Sequence, residues 1–214
     1  MVTVRALISV TAILLLLAVV GPRPAQAADT QAARIMVQAA VNDGLASFAG
    51  KTKPLAERER LLDGLLRRYG DPAMLSASML GRYWGKISPA EQTAFVETFM
   101  RYLVSSYAGL LKDLEPGVKI EVNDAVDLGA RVRVSSNARF PSEPGVLVPA
   151  DWEVATTADG KLVIMDVSVE GVSIIRAMRE DFSSVLRSSG GKVAPLMEAL
   201  QRKIDANDKA NAAQ

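Results

Sequence analysis

The hydrophobic period of this chain changes twice, and that limits what it can fold into. Over residues 30–117 apolar side chains recur every three or four positions, the spacing of a buried helix face. Over residues 118–169 they alternate instead: Val118, Ile120 and Val122; Val132 and Val134; Trp152 and Val154; Val163, Met165, Val167 and Val169. Charged or polar residues mostly fill the positions between, and turn chemistry separates the runs at Asp127 to Gly129, Pro141 to Gly145 and Asp159-Gly160. Helical spacing returns after Ser173. This pattern predicts an α+β fold: a four-stranded antiparallel sheet with one apolar face, and several helices gathered on that face. Such a twisted sheet forms a half-open cone, which either fills with side chains or holds an apolar ligand. Periodicity alone favours the filled core.

The helices carry their own start and stop signals. Asp29-Thr30 offers a cap for a helix bearing Ile35, Val37, Ala40, Val41, Leu45 and Phe48. Pro54 fits the first position of a helix carrying Leu55, Leu61, Leu62, Leu65 and Leu66, with Gly70 as its terminating glycine. Asp71-Pro72 restarts a helix running to Tyr83-Trp84. Ser88-Pro89-Ala90-Glu91 reads as a capping box, because Ser88 and Glu91 can each bond the other's backbone N–H. The helix behind it carries Phe95, Phe99, Leu103, Tyr107 and Leu111, each four residues apart. Ile174, Met178, Phe182, Val185 and Leu186 mark a further helix, Gly190-Gly191 a break, and Val193, Leu196, Leu200 and Ile204 a last helix. Residues 205–214 read as a polar, disordered tail.

Residues 1–27 read as an address. Arg5, an apolar run over residues 6–20, the breakers Gly21, Pro22 and Pro24, and Ala25-Gln26-Ala27 form the three-part pattern of a cleavable signal peptide. The run is short for a span of about 20 residues. Residues 28–204 are then one exported domain, expected in a bacterial periplasm. Composition removes much of the usual chemistry. Among 214 residues there is no His and no Cys. Ser-His-Asp and Cys-His nucleophiles, Cys/His zinc sites and disulfides are therefore excluded, as is a lipid anchor on a mature N-terminal Cys. With 25 basic against 24 acidic residues, nucleic-acid binding is not expected.

Two stretches resemble a known family. One is Leu80-Gly81-Arg82-Tyr83-Trp84, then Ser88-Pro89-Ala90-Glu91-Gln92, Phe95, Phe99, Leu103 and Tyr107-Ala108. The other runs from Val163-Ile164-Met165-Asp166-Val167 through Val169-Glu170-Gly171-Val172-Ser173 to Arg179, Phe182 and the Gly190-to-Leu200 region. Together, covering residues 55–204, they resemble the MlaC family, also called the toluene-tolerance protein family. Arg179-Glu180-Asp181-Phe182, with Gly190-Gly191, resembles its hopanoid-associated, HpnM-like branch. The resemblance implies an NTF2-like cone that holds lipid tails between sheet and helices, so it favours a ligand over a filled core. It also implies a shuttle, without enzymatic activity, cofactor or metal, that carries phospholipid or hopanoid. Its partners would be an inner-membrane ABC-type transporter complex and an outer-membrane lipoprotein complex. A monomer is expected.

On that reading the candidate lipid contacts are Leu80, Trp84, Phe95, Phe99, Leu103 and Tyr107 from the helices and Val132, Val134, Trp152, Val154, Val163, Met165, Val167 and Val169 from the sheet floor. Phe182 and Leu186 would close the cone. Each has a plainer reading as core, since an aromatic stripe at helical spacing packs a core as readily as it lines a cavity. Asp166 and Glu170 share the polar strand face by alternation, so they are expected to be solvated or paired with Arg131 or Arg133. Arg82 and Arg179 are candidates for a lipid phosphate or, equally, for surface salt bridges. The alternative readings are an NTF2-like enzyme using Asp166 or Tyr83 as acid or base, and a module that binds protein partners through an exposed apolar patch.

Overall fold

A computed structural model describes residues 30–212; the expected signal peptide, 1–27, and the Asp29 cap lie outside them. Three helices come first: α1 (Thr30–Phe48), α2 (Leu55–Tyr69) and α3 (Pro72–Leu80). Asp71 caps α3 by accepting the Met74 N–H at 2.8 Å. That helix stops four residues earlier than its apolar spacing predicts. Gly81 turns at φ +51 into a 3-10 segment, Gly81–Lys86, that carries Trp84. The positive φ favours glycine at position 81, where a Cβ would also sit 2.9 Å from the flexible end of Arg179. Gly70 ends α2, but in an extended conformation (φ −107) rather than the left-handed one expected of a terminating glycine. Space explains the residue instead, because a Cβ there would lie 2.7 Å from the Leu66 carbonyl oxygen.

The capping box forms as the sequence predicts. Ser88 Oγ accepts the Glu91 N–H, and Glu91 accepts the Ser88 N–H at 2.8 Å, opening α4 (Pro89–Tyr107). The sheet follows: β1 (Lys119–Asp127), β2 (Val132–Arg139), β3 (Val148–Thr156), β4 (Leu162–Val169) and β5 (Val172–Ser173). It is an antiparallel meander in sequence order with five strands, not four. The added strand has two residues, too short to show an alternation. Ser173 then caps α5 (Ile174–Ser188) by accepting the Arg176 N–H at 2.9 Å.

Helix α6 (Ala194–Ala212) replaces the expected disordered tail. Its polar residues bond α4 where apolar ones would have signalled packing: Asn207 Nδ2 donates to Ser106 Oγ at 3.1 Å, Asn211 Nδ2 to the Ser105 carbonyl at 3.0 Å, and Asp208 pairs with Arg101 at 2.7 Å. Among the described residues no helix is long and apolar enough to cross a membrane.

A bulge in β4 breaks the expected single apolar face. Val154 pairs with Ile164 and Glu153 with Asp166, leaving Met165 as the extra residue between them. Cross-strand partners share a face, so Trp152 and Val167 lie with Val134, whereas Val163 lies with Ala155 on the opposite face. Both faces are consequently covered. Val132, Val134 and Val154 pack with Ala33, Val37 and Val41 of α1. Ala155, Val163 and Met165 pack into a second cluster with residues of α3, α4, α5 and α6.

Candidate functional site

The two ends of this helical layer differ in how they are filled. Within the second cluster Phe95 and Phe99 stack with ring centres 5.9 Å apart, and the Phe182 ring meets them edge-on at 6.5 and 5.9 Å. Phe95, Phe99 and Leu186 are fully buried, and Leu80 nearly so. This is solid core, and no ligand reaches it without unpacking it.

A cavity of about 450 Å³, partly open to solvent, lies between the sheet, α1, α2, the end of α4 and the start of α5. Val41, Leu45 and Phe48 line it from α1, and Leu62, Leu65, Leu66 and Tyr69 from α2. The sheet supplies Ile120, Trp152, Ile164 and Val167, together with Met165 and Asp166 from the bulge. Leu103, Tyr107, Leu111, Leu114, Ile174, Ile175 and Met178 complete much of the wall. Helix α2 shows how the hollow arises. Its apolar stripe faces inward, yet its one buried residue is Arg58, because the leucines largely border the cavity instead of other side chains.

The polar groups of Trp152, Tyr69 and Asp166 in this wall are directed into protein partners. Trp152 Nε1 donates to Ser136 Oγ at 2.9 Å, and the Tyr69 hydroxyl donates to Asp43 at 2.6 Å. Asp166 accepts from the Ser173 hydroxyl and from the Ile175 N–H at 3.1 Å, which seats the carboxylate on the first turn of α5. Burial, reinforced by the bond to Asp43, pushes the Tyr69 phenol above its ordinary pKa. Burial also raises that of Tyr107, with Tyr102 adding to the shift. Neutral phenols and these hydrogen bonds leave a surface that offers mainly hydrocarbon to whatever enters. An enclosed cavity of this size left empty costs on the order of 10 kcal/mol at about 24 cal/mol per Å³. The open mouth lowers that cost, but the total stability of a domain is only about 5–15 kcal/mol. An apolar occupant therefore stabilises this arrangement substantially.

Of the sixteen candidate residues, the structure brings Leu103, Tyr107, Trp152, Met165 and Val167 to the cavity wall. Leu80, Phe95, Phe99, Phe182, Leu186 and Val163 belong to the solid cluster, with half-buried Trp84 packed against it. Val132, Val134 and Val154 face α1 with no exposure. Val169 is 38% exposed at the end of β4. The lining contributed by α1 and α2 was missed, because a helix face over a hollow carries the same apolar spacing as one over a core. The one available signal was composition: the solid cluster holds the phenylalanines of α4 and α5, while α2 offers only leucines and one tyrosine.

The expectation for Asp166 is corrected. It is buried at the cavity wall and not solvated, because the face it shares with Val163 and Ala155 is covered and the start of α5 folds against it. Arg131 pairs with Glu153 at 2.5 Å instead. Glu170 holds a left-handed φ of +51 in the turn before Gly171, where β4 reverses into β5. Arg82 lies over the Tyr83 ring at 5.5 Å, and neither Arg82, Arg179 nor Tyr83 lines the cavity.

Fold and site together define an α+β protein whose helices and sheet wall an apolar cavity. The chain belongs to the MlaC protein family, whose model matches residues 36–202, well over half its length. Among solved structures it is similar to a phospholipid-binding protein from Ralstonia solanacearum in complex with a phospholipid. The TM-score is 0.72, with 82% of this chain and 98% of that chain covered, at 22% sequence identity. At that identity the likeness establishes the shared fold.

Proposed function

We propose that this protein is a lipid carrier that shields acyl tails in the cavity between α1, α2 and the sheet. The observation that carries this reading is the cavity itself: its wall is hydrocarbon, and its few polar side chains are largely engaged with the protein. Membership of the MlaC family and the phospholipid bound by the Ralstonia solanacearum protein of the same fold support it. Burial of each methylene gains about 0.8 kcal/mol, so a long chain is held firmly until another apolar surface accepts it. The carrier needs no reactive group, in keeping with the lack of His and Cys.

The finer reading goes further. The cone is NTF2-like, residues 1–27 direct export to the periplasm, and the protein works there as a monomer without enzymatic activity. It moves phospholipid, or hopanoid if it belongs to the HpnM-like branch, between an inner-membrane ABC-type transporter complex and an outer-membrane lipoprotein complex. An enzyme reading would use Asp166, the one carboxylate in the wall, or a wall tyrosine such as Tyr107; both oxygens of Asp166 already hold the start of α5. Organic extraction and mass spectrometry of protein purified from a bacterial envelope without detergent test the proposal. Near-stoichiometric phospholipid or hopanoid is expected. A lipid-free protein that also refuses labelled phospholipid would remove the carrier reading.

A further inference from the structure

Helix α2 is attached to the rest of the molecule unevenly. Its inward face meets a hollow, so little buried apolar area holds it down. On the α4 side it is fastened along its length. Arg58, 4% exposed, donates from Nε to the Ala108 carbonyl at 2.9 Å and from Nη1 to the Lys53 carbonyl at 2.7 Å. Farther along, Glu59 pairs with Arg101 at 3.0 Å and Arg67 with Glu97 at 3.3 Å. On the α1 side the polar fastening is concentrated in one residue. Asp43 accepts the Tyr69 hydroxyl at 2.6 Å and pairs with Arg68 at 3.0 Å, all at the C-terminal end of α2. Between Asp43 and the start of α2 the seam is apolar and loosely packed. Gly44 lines the cavity, and a Cβ there would meet nothing within 4 Å.

We propose that α2 is the lid of the cavity. It turns about its α4 side, with Arg58 as the fixed end, and is latched to α1 by Asp43 through Tyr69 and Arg68; hydrocarbon passes through the α1–α2 seam. That the lid admits lipid rests on the carrier reading, whereas its opening does not. Freeing the C-terminal end of α2 exposes a leucine-lined hollow and touches the filled cluster only through Leu66, which is partly buried against it. Opening on the α4 side would instead part a buried guanidinium from the Ala108 carbonyl, which is more costly.

The test compares Asp43→Ala and Tyr69→Phe with Glu97→Ala, which loosens the α4 side only. Amide hydrogen exchange of the lipid-free proteins reports opening directly. Transfer of a fluorescent-acyl phosphatidylethanolamine to acceptor vesicles reports passage. Asp43→Ala should exchange the amides of α2 roughly fivefold faster with α4 unchanged, the effect of losing hydrogen bonds to one partly exposed carboxylate. Lipid transfer should accelerate to a similar degree, Tyr69→Phe should follow in the same direction, and Glu97→Ala should match the unaltered protein. Unchanged α2 exchange in Asp43→Ala, equal acceleration in α2 and α4, or an effect of Glu97→Ala as large as that of Asp43→Ala would overturn the lid. If α2 exchange rises selectively while no variant takes up the labelled lipid, the lid stands and the carrier reading falls.

Discussion

The cluster around Phe95, Phe99 and Phe182 and the wall between α1 and α2 are built from the same kind of amphipathic helix, and one is solid while the other is hollow. In the first, α4 and α5 bring rings together from facing helices, and the void closes. In the second, α1 and α2 bring mostly aliphatic side chains, with Phe48 and Tyr69, to a sheet whose bulge at Met165 turns neighbouring residues apart. An apolar stripe thus declares only that a helix face avoids water. Whether it meets another side chain or a ligand depends on the volume that the opposite element supplies.

Substitutions can break or sharpen this contrast. The largest effect belongs to Phe99→Ala, which removes a fully buried ring from a filled cluster and should cost about 3–5 kcal/mol in urea unfolding. Leu65→Ala in α2 should cost less than about 1.5 kcal/mol, because Leu65 already borders a void and is only half-buried. Equal costs would erase the distinction between the two regions. Asp166→Ala should cost about 1–3 kcal/mol by stranding the Ile175 N–H and freeing the α5 end of the cavity wall. Gly44→Ala should stabilise α1 by roughly 0.5–1 kcal/mol, since its methyl meets open space. At the same position Gly44→Leu should leave the fold intact and reduce lipid occupancy. A clash-driven loss of stability in Gly44→Ala would show that the seam is packed.

The smallest effect is one of pH. Burial raises the Tyr107 phenol, so the unfolded chain releases that proton first. The stability contributed by the neutral phenol is complete below pH about 10 and is lost as pH rises above it. Tyr107→Phe should therefore lose less thermal stability between pH 9 and pH 11 than the unaltered protein does, an interval chosen to bracket that pKa of about 10. Parallel melting curves would place Tyr107 in water.

Much of the fold was legible because capping chemistry is local. The Ser88–Glu91 box, the Asp71 cap and the Ser173 cap each occur where their side chains can reach a backbone N–H three residues on. The sheet order followed from turn spacing. What escaped the sequence was non-local. The register of β4 against β3 decides the bulge, and the bulge decides which of Val163, Ile164 and Asp166 share a face. The last turns of α6 are held by Asn207 and Asn211, residues whose composition signals a loop until their α4 partners are known. The cavity was legible only in part. Trp152, Met165, Val167, Leu103 and Tyr107 were among the candidates, yet the apolar spacing of α2 does not distinguish a lining leucine from a packed one.

Photo-crosslinking with a phospholipid that carries a diazirine near the middle of an acyl chain tests the central claim most directly. The protein is loaded from vesicles, irradiated, digested and mapped by mass spectrometry. Adducts are expected on residues that wall the hollow, such as Leu45, Leu65 and Ile164, with none on Phe95, Phe99 or Phe182. Labelling concentrated on the phenylalanine cluster, or on exposed apolar residues such as Val146, Leu147 and Val172, would contradict a cargo held between α1, α2 and the sheet.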